Sequence, residues 1–171
     1  MGYTTDFEGN FELDKQLSEA HSNYLVAFNR TRRMKRDPEK AALLPDPLRE
    51  AVGLPIGIEG EFYVGSYDDG DMGQSKDDSI LEYNDEPSTQ HGLWCQWTPT
   101  KDGDGIGWDY GEKFYHYVEW LEYIVENFLK PWGYVLNGSV QWQGEESNDI
   151  GEITVEDNEV RVGRGEVYYN Y

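Results

Sequence analysis

The sequence predicts an α+β protein with a mostly antiparallel sheet and two helices on one face of that sheet. Three observations support this class. Two stretches carry apolar residues at helical spacing, several short stretches alternate between apolar and polar residues, and one alternating stretch near the C-terminus has a turn at its centre. In chain order the elements read β-α-β-β-β-α-β-β-β, which fits a ferredoxin-like βαββαβ core with extra strands. The length of 171 residues predicts a single domain, residues 1–171.

The chain begins with a predicted strand and a predicted helix. Residues 7–13 alternate between apolar and polar side chains, which is typical of a strand with one buried face. Ser18 is a suitable N-cap for the helix that follows, and Tyr24, Leu25 and Phe28 give that helix an apolar face. Two short helical turns, divided by prolines, are then expected in residues 39–53.

Five of the 14 basic residues lie close together at the end of the first predicted helix. Cations near a helix C-terminus are favoured by the helix dipole. Two interpretations stay open: the cluster pairs with the surrounding acids, or it forms an anion-binding patch. The residues predicted for that patch are Arg32, Arg33 and Arg36.

The middle of the chain combines two predicted strands with a long acidic loop. Residues 56–64 are predicted to form a strand, and residues 93–100, which are apolar on both faces, a central strand. Between them, residues 66–90 lose all periodicity and indicate a loop, with one short ordered piece around residues 79–83. The acids of this loop include Asp68, Asp69, Asp71, Asp77 and Asp78.

Residues 109–133 give the clearest helical pattern in the sequence, and the chain is predicted to be organised around this helix. Apolar residues recur there at intervals of three and four. Asp109 and Glu112 have the spacing of a capping box, and Pro131 ends the helix. A short strand of residues 106–109 leads into it.

Residues 134–143 and the hairpin of residues 151–162 complete the predicted sheet. The hairpin turn falls at Asp157 and Asn158, and Val160 and Val162 are expected to point into the core. The C-terminal residues after the hairpin are a candidate edge strand.

Several strings of the sequence resemble a family of small bacterial and phage-borne proteins. They are MGYTTDFEGNFELDK, LWCQW, GEKFYHYVEWLEY, PWGYVLNGSVQWQGE and VEDNEV, and together they extend over nearly the whole chain. The resemblance implies a cytoplasmic setting in a bacterium or phage. It implies no catalytic residues.

Composition and charge restrict the classes of function. The formal net charge of −20 disfavours direct binding to nucleic acid or to anionic membrane, and it favours a basic partner surface. No signal peptide or apolar run of membrane-spanning length is evident, and the single cysteine excludes an internal disulfide. These features predict a cytoplasmic protein without a membrane anchor.

No catalytic, metal-binding or cofactor motif stands out. The loop starting at Asp102 fails as an EF-hand because its fifth and twelfth positions are Ile106 and Lys113. Cys95 is expected to be buried and unreactive. We therefore predict no catalytic residue, no metal and no cofactor.

Three functional hypotheses remain. The first is a non-enzymatic interaction protein, such as a DNA-mimic-like inhibitor from a phage or mobile element that binds a basic surface of a nucleic-acid-binding host protein. The acids predicted to bind the partner are Asp68, Asp69, Asp71, Asp77, Asp78, Glu145, Glu146, Asp149, Glu156 and Asp157. The second is a ligand-binding or enzymatic domain with an aromatic pocket lined by Trp94, Trp97, Trp108, Tyr115 and Trp142. The third is a structural protein without a specific partner. The sequence leaves the identity of the partner and the oligomeric state open.

Overall fold

The computed structural model describes residues 2–66 and 73–170. The chain is a mixed α/β protein that divides into two compact units. The first unit combines Met1–Leu17 with Gln96–Tyr171, and the second is Ser18–Cys95. The prediction of a single domain over residues 1–171 stays a prediction.

The first unit is built on a seven-stranded sheet, and the second contains a two-stranded sheet. The strands are β1 (Asp6–Glu8), β2 (Phe11–Leu13), β3 (Lys35–Arg36), β4 (Ile80–Glu82), β5 (Trp97–Pro99), β6 (Gly105–Trp108), β7 (Leu136–Gln143), β8 (Ile150–Glu156) and β9 (Glu159–Arg164). In the described residues every strand pair is antiparallel. The predicted predominance of antiparallel pairing is confirmed.

The strand order of the large sheet is β5-β6-β2-β7-β8-β9, and β1 also pairs with β7. A ferredoxin-like βαββαβ core with two helices on one face is not confirmed by this order. The segment 93–100 was expected as a central strand, but only Trp97–Pro99 is a strand and it lies at one end of the order. Strand β4 pairs with β3 and accounts for the ordered piece expected around residues 79–83.

The strand predicted for residues 7–13 is divided into β1 and β2. Gly9 lies between them with a φ of 97°, a conformation that breaks an extended strand and that glycine adopts readily. Both halves nevertheless pair with β7, Phe7 opposite Trp142 and Phe11 opposite Gly138. The alternation was therefore interpreted correctly, but the break was not predicted.

An aromatic cluster fills the buried side of the first unit. The Phe7 ring meets the rings of Trp97 at 5.3 Å, Phe114 at 5.8 Å and Tyr117 at 4.9 Å, all edge to face. The Trp97 indole N–H donates to the backbone carbonyl of Tyr117 over 2.7 Å, so the only polar atom of that side chain is satisfied. Phe114 and Trp97 are 2% and 1% exposed.

The organising helix is much shorter than predicted. Helix α4 covers Tyr117–Ile124 and continues as a π-helical turn over Val125–Leu129. The capping box at Asp109 and Glu112 is wrong: the Asp109 carboxylate accepts from the Gly111 N–H over 2.8 Å, and the residue before α4 is His116 in a left-handed conformation. Residues 109–116 form a loop because Phe114 turns into the aromatic cluster instead of continuing a helix.

Among the residues that the structure describes, the second unit contains three α-helices, α1 (Glu19–Arg30), α2 (Pro38–Ala41) and α3 (Pro47–Ala51). The predicted Ser18 cap is confirmed, since its hydroxyl accepts from the His21 N–H over 3.2 Å.

The strand predicted for residues 56–64 is wrong. A 3₁₀ turn at Ile58–Gly60 replaces it, and positive φ angles at Gly57, Glu59 and Gly60 interrupt the extended backbone.

A buried ion pair holds the second unit together near α3. Asp46 is 1% exposed, and its carboxylate accepts from Arg49 Nε over 2.6 Å and from the N–H groups of Val64 and Gly65. Burial raises the pKa of the Asp46 carboxyl, while these donors act in the opposite direction. The carboxylate thus links the start of α3 to the backbone at residues 64–65.

The C-terminal hairpin has the predicted turn. Asp157 and Asn158 have φ angles of 47° and 68°, the pair of left-handed residues that a two-residue hairpin loop needs. Val155 is buried as expected, but Val162 is 48% exposed, so the inward orientation predicted for it gives little burial. Residues 165–170 form no strand, so the edge strand considered for them is absent from this described segment.

The aromatic cluster generates a stability prediction. Phe114→Ala should lower the free energy of unfolding by about 3–5 kcal/mol, because the substitution leaves a cavity among Phe7, Trp97 and Tyr117. The control Tyr168→Ala, at a side chain that is 84% exposed, should change it by less than about 0.5 kcal/mol. Urea unfolding measures both. Equal effects would contradict the burial of Phe114.

The buried ion pair generates a second prediction. Asp46→Asn should destabilise the protein by about 3–5 kcal/mol, because it leaves the Arg49 guanidinium buried without its anionic partner. Asp78→Asn removes the same charge at an exposed side chain and should be nearly neutral. Thermal unfolding of the two variants at one pH makes the comparison, and a neutral Asp46→Asn would refute the structural role of the pair.

Candidate functional site

The side of the large sheet opposite the aromatic cluster carries polar side chains in regular rows. Because side chains alternate along a strand, the neighbours of the buried Phe7, Trp142 and Ile153 point to the opposite face. We call this the outer face. It is formed by Asp6, Glu8, Glu12, Asn137, Ser139, Gln141, Gln143, Ile150, Glu152, Thr154, Glu156, Glu159, Arg161 and Gly163.

Strand register places the outer-face residues side by side. Glu8 lies opposite Gln141, Gln141 opposite Glu152, and Glu152 opposite Gly163. Neighbouring strands are about 4.8 Å apart, so Glu8 and Glu152 lie roughly 10 Å apart on either side of the neutral Gln141. Asp6 is two residues from Glu8 along the same strand and extends the row by about 6.7 Å.

The outer face is strongly acidic. Its carboxylates are all exposed: Asp6, Glu8, Glu12, Glu152, Glu156 and Glu159. Of the described residues in the rows, Arg161 is the cation, and it pairs with Glu159 over 3.3 Å. No apolar cluster interrupts the rows, and Ile150 is half-buried. The arrangement can attract an extended cationic surface more readily than a single small ion, because the charges are spread over four strands.

A shallow groove of about 790 Å³ runs over part of the outer face. Asp6, Glu8, Gln141 and Glu152 line it from the outer face, and Arg164 lies at its margin. The groove is open to solvent and offers carboxylates and amides to whatever enters it. Its lining provides acceptors for lysine and arginine side chains.

The structure brings only some of the predicted partner-binding acids into this surface. Glu156 belongs to the outer face, and Asp157 lies in the turn beside it. Glu145 and Glu146 are exposed in the connection between β7 and β8. The predicted residues Asp68, Asp69 and Asp71 lie outside the described residues.

Asp77 serves an internal contact. Its carboxylate pairs with Arg36 over 2.8 Å and accepts from the N–H and hydroxyl of Ser79. Burial opposes ionisation of Asp77, but the hydrogen bonds from Ser79 and Arg36 outweigh it and hold the pKa of the carboxyl below its usual value. Asp78, the next residue, is exposed.

Asp149 is half-buried and accepts from two side chains. Tyr3 donates its hydroxyl to one carboxylate oxygen over 2.7 Å, and the Trp142 indole N–H donates to the other over 3.0 Å. Trp142 in turn packs against Tyr117, whose pKa burial raises to about 12, so that phenol stays neutral at physiological pH. The charge of Asp149 is therefore already engaged within the first unit.

The three arginines predicted as an anion patch also donate to groups within the second unit. Arg33 and Arg36 are each 3% exposed. Arg33 donates to the carbonyls of Glu61 and Tyr63, and Arg32 donates to the carbonyl of Tyr83 over 3.0 Å. These contacts give the cluster a structural role, and the anion patch stays a prediction.

The residues predicted for an aromatic pocket do not share one environment. Trp97 and Trp142 are 1% and 4% exposed and belong to the core of the first unit. Trp108 is half-buried, and Tyr115 is exposed and accepts from the Tyr3 N–H over 2.9 Å. Trp94 belongs to the second unit. The pocket stays a prediction, and these placements give it no support.

Three further properties of the described residues bear on function. Within residues 2–66 and 73–170, no group of three or more His, Cys, Asp or Glu side chains is arranged to hold a metal ion. Over the same ranges, no helix has both the length and the hydropathy required to cross a bilayer. Cys95 is fully buried, as its apolar neighbours predicted, and the lack of reactivity expected of its thiol stays a prediction.

Several acids of the outer face were not among the predicted site residues. They are Asp6, Glu8, Glu12, Glu152 and Glu159. The alternation of residues 7–13 did predict an exposed acidic side for that strand. What was missing was the pairing of β1 and β8 with β7, which brings the acids of distant segments into common rows.

Comparison of the chain with protein-family models, with curated proteins and with solved structures finds no match. The class of protein is thus defined by its own fold and surface: an α+β protein with an antiparallel sheet that buries aromatic residues on one face and exposes carboxylates on the other.

The internal role of Asp149 can be tested directly. Asp149→Asn should destabilise the protein by about 1–3 kcal/mol. Tyr3 and Trp142 donate to different carboxylate oxygens, and the NH₂ group that replaces one of these oxygens cannot accept a hydrogen bond. Glu145→Gln, at an exposed neighbour, is the control and should change stability by less than about 0.5 kcal/mol. Chemical denaturation followed by tryptophan fluorescence measures both, and equal stabilities would show that Asp149 is not an internal acceptor.

Proposed function

We propose that this protein is a non-enzymatic interaction protein that binds a basic protein surface through the outer face. The single observation that carries the proposal is the row of exposed carboxylates at Asp6, Glu8, Glu12 and Glu152, which neighbouring cations leave largely unpaired. A patch of one charge sign steers an oppositely charged partner and selects against others.

The shape of the outer face supports a protein partner rather than a small molecule. The acids extend over strands β1, β2, β8 and β9, while the groove between them is shallow and open. Small ligands bind in concave, mostly apolar pockets that cover most of their surface. A second protein can instead contact several rows of the outer face at once.

The finer proposal is that the partner is a nucleic-acid-binding protein of a bacterial host and that binding inhibits it. Proteins of that class present a face rich in lysine and arginine, which an acidic sheet complements. The resemblance to phage-borne proteins supports the setting, and the net charge of −20 supports the sign of the partner. We likewise keep cytoplasmic localisation as part of this proposal.

Affinity capture from a bacterial lysate tests the proposal, at about 50 mM and about 500 mM salt. Partners held through the outer face should be basic and should elute at the higher salt concentration. Salt screens interactions between exposed charges, with a screening length of about 10 Å at 0.1 M that shortens as the salt concentration rises. A retained partner should also lose its nucleic acid on titration with this protein. Salt-insensitive capture would count against the electrostatic interface.

Charge substitutions locate the interface. The triple variant Asp6→Asn, Glu8→Gln, Glu152→Gln should weaken binding to the captured partner roughly 3- to 150-fold, since each exposed pair contributes about 0.2–1 kcal/mol. The matched control neutralises three exposed acids of helix α4 and its π-helical continuation, Glu119, Glu122 and Glu126, as glutamines. Calorimetry compares the two. Equal losses would mean that total charge, rather than the outer face, determines affinity.

A further inference from the structure

Within residues 2–66 and 73–170, strand β9 forms an open edge of the large sheet. It pairs with β8 on one side, and it is the last strand in the order β5-β6-β2-β7-β8-β9. The opposite end of the sheet is strand β5, which has three residues and ends at Pro99. Strand β9 has six residues, contains no proline and pairs one-to-one with β8 without a bulge. An edge of this kind can template another strand.

The hairpin geometry determines which backbone groups of β9 face outward. The two-residue loop is closed by the pair Glu156 and Glu159, and residues of an antiparallel ladder alternate between bonding to the partner strand and pointing away from it. Residues 159, 161 and 163 therefore bond to β8, in phase with the Gly165 N–H, which donates to the Ile150 carbonyl over 2.9 Å. Val160, Val162 and Arg164 direct their N–H and C=O groups to the open edge.

The side chains beside this edge differ between the two faces of the sheet. On the inner face, Val162 is 48% exposed and offers an apolar contact. On the outer face, Gly163 has no side chain, and a Cβ placed there would meet no atom within 4 Å. Glu152 lies next to that gap, directly opposite Gly163 in the ladder. The edge is thus apolar at Val162 on one side. On the other side it carries the ion pair of Arg161 with Glu159 and the free space at Gly163, beside the carboxylate of Glu152. Arg164 is exposed at the end of the strand.

We propose that the β9 edge accepts an extended segment of the basic partner as an additional antiparallel strand. The segment that fits has alternating side chains, aliphatic on the side of Val162 and with a lysine or arginine in the free space at Gly163, on the side of Glu152. This inference rests on the proposed function and adds its binding mode. Backbone hydrogen bonds supply affinity in such complexes, and the alternate side chains supply specificity.

Charge complementarity selects this occupant over a second copy of the chain. Antiparallel pairing of two β9 strands keeps the outer faces of both copies on one side, so it would place two acidic faces next to each other. Each copy carries a formal net charge of −20, and the two would repel. A cationic strand instead brings its charges to Glu152 and to the carboxylates of the hairpin.

Two peptides and three variants test the inference. The probe is a capped octapeptide of alternating lysine and valine, and the control peptide has the same composition in the order Lys-Lys-Val-Val, repeated. Val162→Pro removes an outward N–H that β8 does not use, so the fold should persist. Val162→Thr keeps the N–H and reduces the apolar side chain. Arg164→Pro likewise removes an N–H that points to the open edge. Thermal unfolding verifies that each variant is folded.

The expected result is that the alternating peptide binds the native chain and Val162→Thr, and that Val162→Pro and Arg164→Pro weaken binding at least tenfold. The control peptide should bind at least tenfold more weakly than the alternating one. Hydrogen exchange of the amides of Val160, Val162 and Arg164 should slow when the alternating peptide is bound, which a purely electrostatic contact would not cause.

Other outcomes overturn the inference and separate it from the proposed function. Equal binding of both peptides, unaffected by the proline variants but weakened by neutralising Asp6, Glu8 and Glu152, would remove the strand addition and keep the acidic interface. If neither the proline variants nor the neutralisation of Asp6, Glu8 and Glu152 changed peptide binding, both the strand addition and the acidic interface would be refuted. Concentration-dependent dimerisation of the chain that Val162→Pro abolishes would show that a second copy occupies the edge, and this too would refute the proposal.

Discussion

The packing of Phe7 among Trp97, Phe114 and Tyr117 is the contact on which the rest of the first unit depends. It determines which side of β1 is buried, and because β1 pairs with β7, it determines the buried side of the whole sheet. Side chains alternate with a period of two, so every residue next to a core position must face the other way. The acidic outer face is therefore a consequence of the aromatic cluster: a register shift of one residue would bury Glu8 and expose Phe7.

The same cluster explains why the organising helix begins late. The apolar spacing from Phe114 onward fits a helix, and the prediction followed that spacing. Burying the Phe114 side chain stabilises the fold by about 1.5–3 kcal/mol. This offsets much of the cost of the left-handed residues in the loop, which is roughly 1–2 kcal/mol each. Lys113 and His116 adopt that conformation on either side of Phe114, with φ angles of 59° and 55°. The loop is held by other contacts as well, since Gln96 donates to the Glu112 carbonyl over 2.7 Å and accepts from the Trp108 indole. These contacts join segments distant in sequence, so the local pattern could not predict them.

Local signals predicted what local interactions determine. The helix capped by Ser18 and the turn at Asp157 and Asn158 depend on residues a few positions apart, and both were predicted at the right place. The strand order depends on pairing between β2 and β6 and between β1 and β7, across most of the chain, and it could not be derived from periodicity. The error at residues 56–64 has a local cause: Gly57 and Gly60 allow positive φ angles that interrupt an otherwise strand-like pattern. For the candidate site, Glu156 and Asp157 of the hairpin were predicted, whereas the common row of Glu8 and Glu152 depends on pairing across the sheet.

The outer face has opposite effects on the free protein and on a complex. Two carboxylates about 7 Å apart at the surface repel by roughly 0.6 kcal/mol in water, and by more where the local dielectric constant is lower. Asp6 and Glu8 have about this spacing, so in the free protein salt should screen their repulsion and stabilise the fold. In a complex with a basic surface the same charges attract, and salt should weaken them. An acidic face that merely keeps a protein soluble has the first dependence only. Asp6, Glu8 and Glu152 lie on one side of one sheet, so under the proposed function a cationic partner that relieves their repulsion would lie across β1, β7 and β8.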